Sequence, residues 1–138
     1  MSEKPMQRRE DPVQKIAVLG AGSWGTTFAK VMADAVTTGS EPVEISLWAR
    51  RAEVAEEITA RHTNSTYLGE IVLPEVITAT SSLTDAVQGA DVVVLAVPAQ
   101  HLRSHLTQLA EVLAPHAVLV SLIKGLERGT DMRMSQVI

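Results

Sequence analysis

The chain has 138 residues, 46% of them hydrophobic, with a formal charge of −4 and an isoelectric point near 5.5. That length suits one domain with a genuine core, and the acidic balance argues against broad nucleic-acid binding, which needs a concentrated basic face. The absence of cysteine removes disulfides, thiolate metal sites and cysteine nucleophiles. With no membrane-span-length apolar run and no signal-peptide-like start, it points to a cytoplasmic protein.

Residues 1–14 mix Lys4, Arg8, Arg9, Glu10 and Asp11 with Pro5 and Pro12 and little apolar content, which predicts a flexible arm, with the folded domain running over 15–138. The fold then starts with Lys15-Ile16-Ala17-Val18-Leu19, a buried-strand run that enters Gly20-Ala21-Gly22-Ser23-Trp24-Gly25. Behind this loop Phe28, Val31, Met32 and Ala35 recur at spacings of three and four, which reads as the apolar stripe of an amphipathic helix. A G-x-G-x-x-G loop between a strand and a helix is a dinucleotide phosphate cradle. Gly20 permits the tight turn, Gly22 exposes bare backbone to the pyrophosphate and Gly25 allows close helix packing. The helix start adds unpaired N–H groups and the positive end of its dipole.

A second strand is predicted over 43–48 and a helix over 52–61, whereas 63–74 has no clear pattern. Residues 77–80 suit a short third strand, and 82–87 a short helix stopped by Gly89. The unbroken apolar run over 92–97 predicts a strand buried on both faces, ended by Pro98. A helix over 99–113 with Leu102, Leu106, Leu109 and Leu113 on one stripe follows, then a fifth strand over 118–123. This alternation predicts an α/β fold: a doubly wound, mainly parallel sheet of Rossmann type in three α/β/α layers.

After the second strand, where Asp or Glu normally meets the adenosine ribose, the chain reads Ala49-Arg50-Arg51, with Glu53 too late to serve. Two guanidiniums at that point suit a 2′-phosphate and favour NADP over strict NAD use; the plainer reading is a solvated helix start. Pro98 and His101 fall at the carboxyl end of the fourth strand, the ligand edge of an open sheet. His101 either flanks the nicotinamide side of the cofactor or is an exposed helix-start residue. His101 and His105, four apart, suit a solvated helix face better than a metal pair, so no metal is expected. Lys124 follows the fifth strand on the same edge, where an ammonium can contact an anionic substrate or polarise a carbonyl, or simply be solvated.

Gly-Ala-Gly-Ser-Trp-Gly-Thr at 20–26, Leu-Trp-Ala-Arg at 47–50, Asn64 with Tyr67-Leu68, Val-Pro at 97–98 and Lys-Gly-Leu-Glu at 124–127 together resemble the bacterial NAD(P)-dependent sn-glycerol-3-phosphate dehydrogenases. The resemblance covers 15–138. It implies reversible reduction of dihydroxyacetone phosphate to sn-glycerol 3-phosphate for phospholipid synthesis. Ser23 and Trp24 would then contact NADP or NAD in the glycine loop, Arg50 and Arg51 would take its adenosine end, and Lys124 would contact both cofactor and substrate. In relatives the His101 position can hold an aromatic residue near the cofactor.

Such enzymes also carry a second, helical domain whose lysine supplies the proton, beyond position 138. This chain stops within what reads as a starting helix at 134–138, so it is expected to be a piece that binds cofactor without turning over, with no catalytic residue of its own. Apolar surface left bare by the absent domain would favour self-association, as in a homodimer. The readings that compete are another hydroxyacid-type dehydrogenase on this scaffold and a non-catalytic nucleotide sensor.

Overall fold

The computed structural model describes residues 12–138. Its centre is a five-stranded parallel sheet of β1 (Lys15–Leu19), β2 (Glu44–Trp48), β3 (Ile77–Thr80), β4 (Val92–Leu95) and β5 (Val118–Ser121), in the order β3-β2-β1-β4-β5. Six helices complete it: α1 (Ser23–Thr37), α2 (Ala52–Arg61), α3 (Ser65–Leu68), α4 (Leu83–Val87), α5 (Leu102–Leu109) and α6 (Met134–Val137). The strand order reverses between β1 and β4, so the doubly wound arrangement expected from the alternation of strands and helices is present.

Residues of a strand point alternately to opposite faces, and both faces of this sheet are covered. Ile16 and Val18 of β1, Ile45 and Leu47 of β2 and Val94 of β4 pack with Ala29 and Ala33 of α1 and Val54, Ala55 and Ile58 of α2. Ala17, Leu19, Val93 and Leu95 look the other way, onto Leu83, Ala86 and Val87 of α4, Leu102 and Leu109 of α5 and Met134 of α6. These are the outer layers of the α/β/α sandwich.

Several boundaries differ from the sequence reading. The fourth and fifth strands end at Leu95 and Ser121 because their successors leave the sheet for the loops of its carboxyl edge. The helix expected over 99–113 is a 3₁₀ turn over Ala99–His101 followed by α5. Its leucine stripe holds, with Leu102 and Leu109 fully buried and Leu106 and Leu113 packed against them.

The apolar stripe of α1 is borne out in part: Phe28 and Met32 pack against the core, but the other two residues do not. Thr26, Ala29 and Ala33 face the sheet, whereas Val31 and Ala35 are exposed. Small residues take the most buried positions of α1, whose start comes so close to β1 that Gly25 leaves no room for a side chain.

Residues 1–11 of the arm lie outside the described residues. The arm's last residues are part of the fold: Val13 packs against the core, and the Gln14 carbonyl accepts from the Glu44 N–H. Asp91, buried at the start of β4, gathers this corner. Its Oδ2 accepts from the N–H groups of Gln14 (2.7 Å) and Lys15 (3.0 Å), and its Oδ1 lies 2.9 Å from His116 Nε2. Removing a buried acceptor strands its donors at about 1–3 kcal/mol. Asp91→Ala is therefore expected to lower the unfolding free energy by that order, read as a lower urea midpoint at unchanged slope; a loss under about 0.5 kcal/mol would mean that water replaces the carboxylate.

Candidate cofactor site

Parallel pairing aligns the strand ends, Leu19 beside Trp48 and Leu95, and Leu95 beside Ser121. Four loops therefore leave the sheet at one level. They are anchored there by backbone bonds: Gly20 N–H to the Trp48 carbonyl, Ala96 N–H to Leu19 and Leu122 N–H to Leu95. Beside this edge lies a cleft of about 1010 Å³ that reaches from the glycine loop to Lys124.

The three glycines serve different ends. Gly20 has φ +118°, and a Cβ there would stand 2.5 Å from the Ala96 carbonyl oxygen. At Gly25 a Cβ would overlap the Gly20 carbonyl oxygen, so α1 rests directly on the end of β1. A Cβ at Gly22 would meet nothing within 4 Å, and this residue caps α1 with no side-chain hydrogen bond and no acid in the first helical turn. The structure thus leaves open backbone with unpaired amides at the helix start, which fits an anionic group such as a pyrophosphate.

Gly20, Gly22 and Trp24 line the cleft, as do Arg50, Arg51, Pro98, His101 and Lys124. Ser23 is exposed beside it, and Gly25 is buried beneath it; neither lines it. Glu53 does not line it either. Arg50 and Arg51 are exposed and pair with no carboxylate among the described residues. Lys124 has no such partner among them either, so three free cations rim the cleft.

Trp24 lines the cleft as the sequence reading expected, whereas the cleft positions of Phe28, Val31 and Tyr67 and the buried bonds of Asn64 escaped it. Trp24, 79% exposed, and Val31, 55% exposed, form an apolar wall with Phe28 and Tyr67. Asn64, fully buried, donates from Nδ2 to the Ala21 carbonyl (2.9 Å) and to Thr26 Oγ1 (3.0 Å), which fixes the glycine loop from behind. The resemblance picked out Asn64 but gave it no role, because its partners lie 43 and 38 positions away in the chain.

His105 corrects the solvated reading of the histidine pair. Its ring meets Trp48 edge-on at 5.0 Å between centroids and its Nδ1 is buried without a partner, while His101 lies 6.5 Å away. Among the described residues no group of three His, Cys, Asp or Glu is arranged for a metal.

Burial, and then the nearby His101, holds the His105 imidazole below its ordinary pKa. A group that resists protonation when folded titrates at a higher pH when unfolded, so its contribution to stability is present above about pH 6.5 and is lost as the pH falls. Unfolding free energy measured from about pH 7.5 to 5.5 is expected to decline less in His105→Gln than in the wild-type chain. Parallel declines would assign the slope to another group.

The strand order, the reversal beside β1 and the glycine loop define a doubly wound domain of the dinucleotide-binding class. Residues 15–138 match the family described as NAD-dependent glycerol-3-phosphate dehydrogenase N-terminus, and the chain belongs to that family. It is 51% identical over 124 residues to the glycerol-3-phosphate dehydrogenase [NAD(P)+] of Corynebacterium jeikeium, and 54% identical over 124 residues to that of Corynebacterium diphtheriae. In both cases the alignment covers 90% of this chain and 36% of the relative, so the chain spans little more than a third of their length. The solved structure of the glycerol-3-phosphate dehydrogenase of Saccharomyces cerevisiae superposes with a TM-score of 0.80 at 31% identity, over 92% of this chain and 38% of that one. The family is NAD(P)-dependent.

Proposed function

We propose that this chain is the cofactor-binding part of a glycerol-3-phosphate dehydrogenase, with NADP slightly favoured over NAD. The observation that carries the reading is the bare Gly22 backbone opening onto a cleft rimmed by Arg50, Arg51 and Lys124, in a chain of this family. Gly20, Gly22 and the first-turn amides of Ser23, Trp24 and Gly25 would hold the pyrophosphate. Arg50 and Arg51, with no acid at the ribose position, would take the 2′-phosphate. Trp24, Pro98 and His101 would flank the rest of the cofactor.

When bound, the reduced nicotinamide supplies the hydride that converts dihydroxyacetone phosphate to sn-glycerol 3-phosphate. Lys124 would orient the substrate through its phosphate or carbonyl oxygen and touch the cofactor as well. Among the described residues Lys124 is the one lysine lining the cleft. A second cationic acid, needed to protonate the developing alkoxide, is expected from the part of the longer relatives that this chain does not span. This chain is therefore expected to bind cofactor without turnover. A homodimer, a role in phospholipid synthesis and a cytoplasmic location belong to the same reading. No helix among the described residues is long and apolar enough to cross a membrane.

Calorimetric titration with NADPH and NADH tests the reading, and a wild-type chain that binds neither would overturn it. Replacing both Arg50 and Arg51 by alanine is expected to weaken NADPH by roughly tenfold or more, since charged hydrogen bonds contribute about 1.5–3 kcal/mol, and to affect NADH far less. Equal losses would count against a 2′-phosphate role.

The glycines give a second, independent check. Gly22→Ala has room in the fold and is expected to lose binding while keeping its melting temperature within a few degrees. Gly25→Ala, which forces a side chain into the Gly20 carbonyl, is expected to lose several degrees as well.

A further inference from the structure

Lys124 and Gly125 follow β5 as a bridge between two anchors. Before them, the Leu122 N–H is the last to bond into the sheet, to the Leu95 carbonyl. Among the described residues the backbone N–H groups of Lys124 and Gly125 themselves have no hydrogen-bond partner, and Gly125 has φ +105°. The position of Lys124 at the cleft therefore depends on what holds the chain after it.

That second anchor comes from the 3₁₀ turn over Ala99–His101 and the first turn of α5. The Gln100 side chain grips the backbone on both sides of Glu127: its Nε2 donates to the Leu126 carbonyl (3.0 Å), and its Oε1 accepts from the Arg128 N–H (2.9 Å). One turn on, Arg103 donates from Nε and one terminal nitrogen to the two carboxylate oxygens of Glu127, at 2.8 and 3.0 Å. This is the two-point geometry that a guanidinium offers and an ammonium does not. Glu127 also accepts from Thr130 Oγ1 (2.7 Å), its N–H donates to the Met132 carbonyl, and Leu126 bridges Arg133. The segment from 126 to 133 is thus a closed loop docked on α5 through Gln100 and Arg103.

We infer that Gln100 and Arg103 are positioning residues, which hold Lys124 at the cleft by clamping the loop that follows it. The inference rests on the reading of Lys124 as a cofactor contact. Neither residue lines the cleft. Their effect therefore runs through the backbone on the far side of Gly125.

Two measurements on the 138-residue chain test this. The first needs no cofactor: exchange of the Arg128 amide with solvent is expected to rise at least tenfold in Gln100→Ala, with the melting temperature close to that of the wild type. An unchanged rate overturns the clamp.

The second is an NADPH titration of Gln100→Ala, Lys124→Ala and the double variant. Gln100→Ala is expected to weaken binding by roughly three- to tenfold, and the double variant to bind no more weakly than Lys124→Ala alone. Arg103→Lys should restore only part of what Arg103→Ala loses. Losses that add in the double variant overturn the inference, because the clamp would then act without Lys124. A wild-type chain that binds no NADPH sinks the cofactor reading and this inference with it. Binding that weakens in Lys124→Ala but not in Gln100→Ala sinks the inference alone.

Discussion

The contact of Gly25 with the Gly20 carbonyl sets the geometry on which the rest of the domain depends. It seats α1 directly against the end of β1, and only a residue without a side chain permits that distance. Once α1 sits there, the small residues Thr26, Ala29 and Ala33 are fully buried, while Phe28 and Met32 pack on the core less completely. The same contact directs the start of α1 across the ligand edge of the sheet, so one packing constraint serves the core and the cradle together. Asn64 completes the arrangement by bonding the Ala21 carbonyl from beneath, which leaves the loop little freedom before any ligand arrives.

The cleft beside that loop joins two kinds of surface. Its rim carries the guanidiniums of Arg50 and Arg51 at the end of β2 and the ammonium of Lys124 beyond β5, while its wall along α1 is apolar through Trp24, Phe28 and Val31. An elongated molecule with anionic groups and a flat ring system suits such a site better than a compact ion. The chain carries an overall charge of −4, so this concentration of positive charge is local. It comes from which strands end at this edge and not from composition.

Much of this was legible in the sequence because the relevant signals are local. A strand running into G-x-G-x-x-G, the apolar run of β4 and the alternation of elements each draw on a few neighbouring residues, and they yielded the sheet and the positions of Gly20, Gly22, Arg50, Arg51, Pro98 and Lys124 at one edge. The inner face of α1 was read only in part: hydrophobic periodicity favours large residues and found Phe28 and Met32, whereas close packing put Ala29 and Ala33 deepest. His105 was taken for a solvated residue because its neighbour across the fold, Trp48, is 57 positions away in sequence. Gln100, Arg103 and Asn64 bond to groups distant in the chain, and nothing in their own segments announces these partners.

The unpaired state of Arg50 and Arg51 bears on how a domain of this kind can change over time. Both side chains lie on the surface and have no hydrogen-bond or ion-pair partner among the described residues, so either can be exchanged with little disturbance to folding. Gly20 and Gly25 have no such latitude, since a side chain at either would collide with the backbone that seats α1. Preference between closely related nucleotides is thus free to drift at one end of the cleft, while the other end is held fixed by the requirement that the protein fold at all.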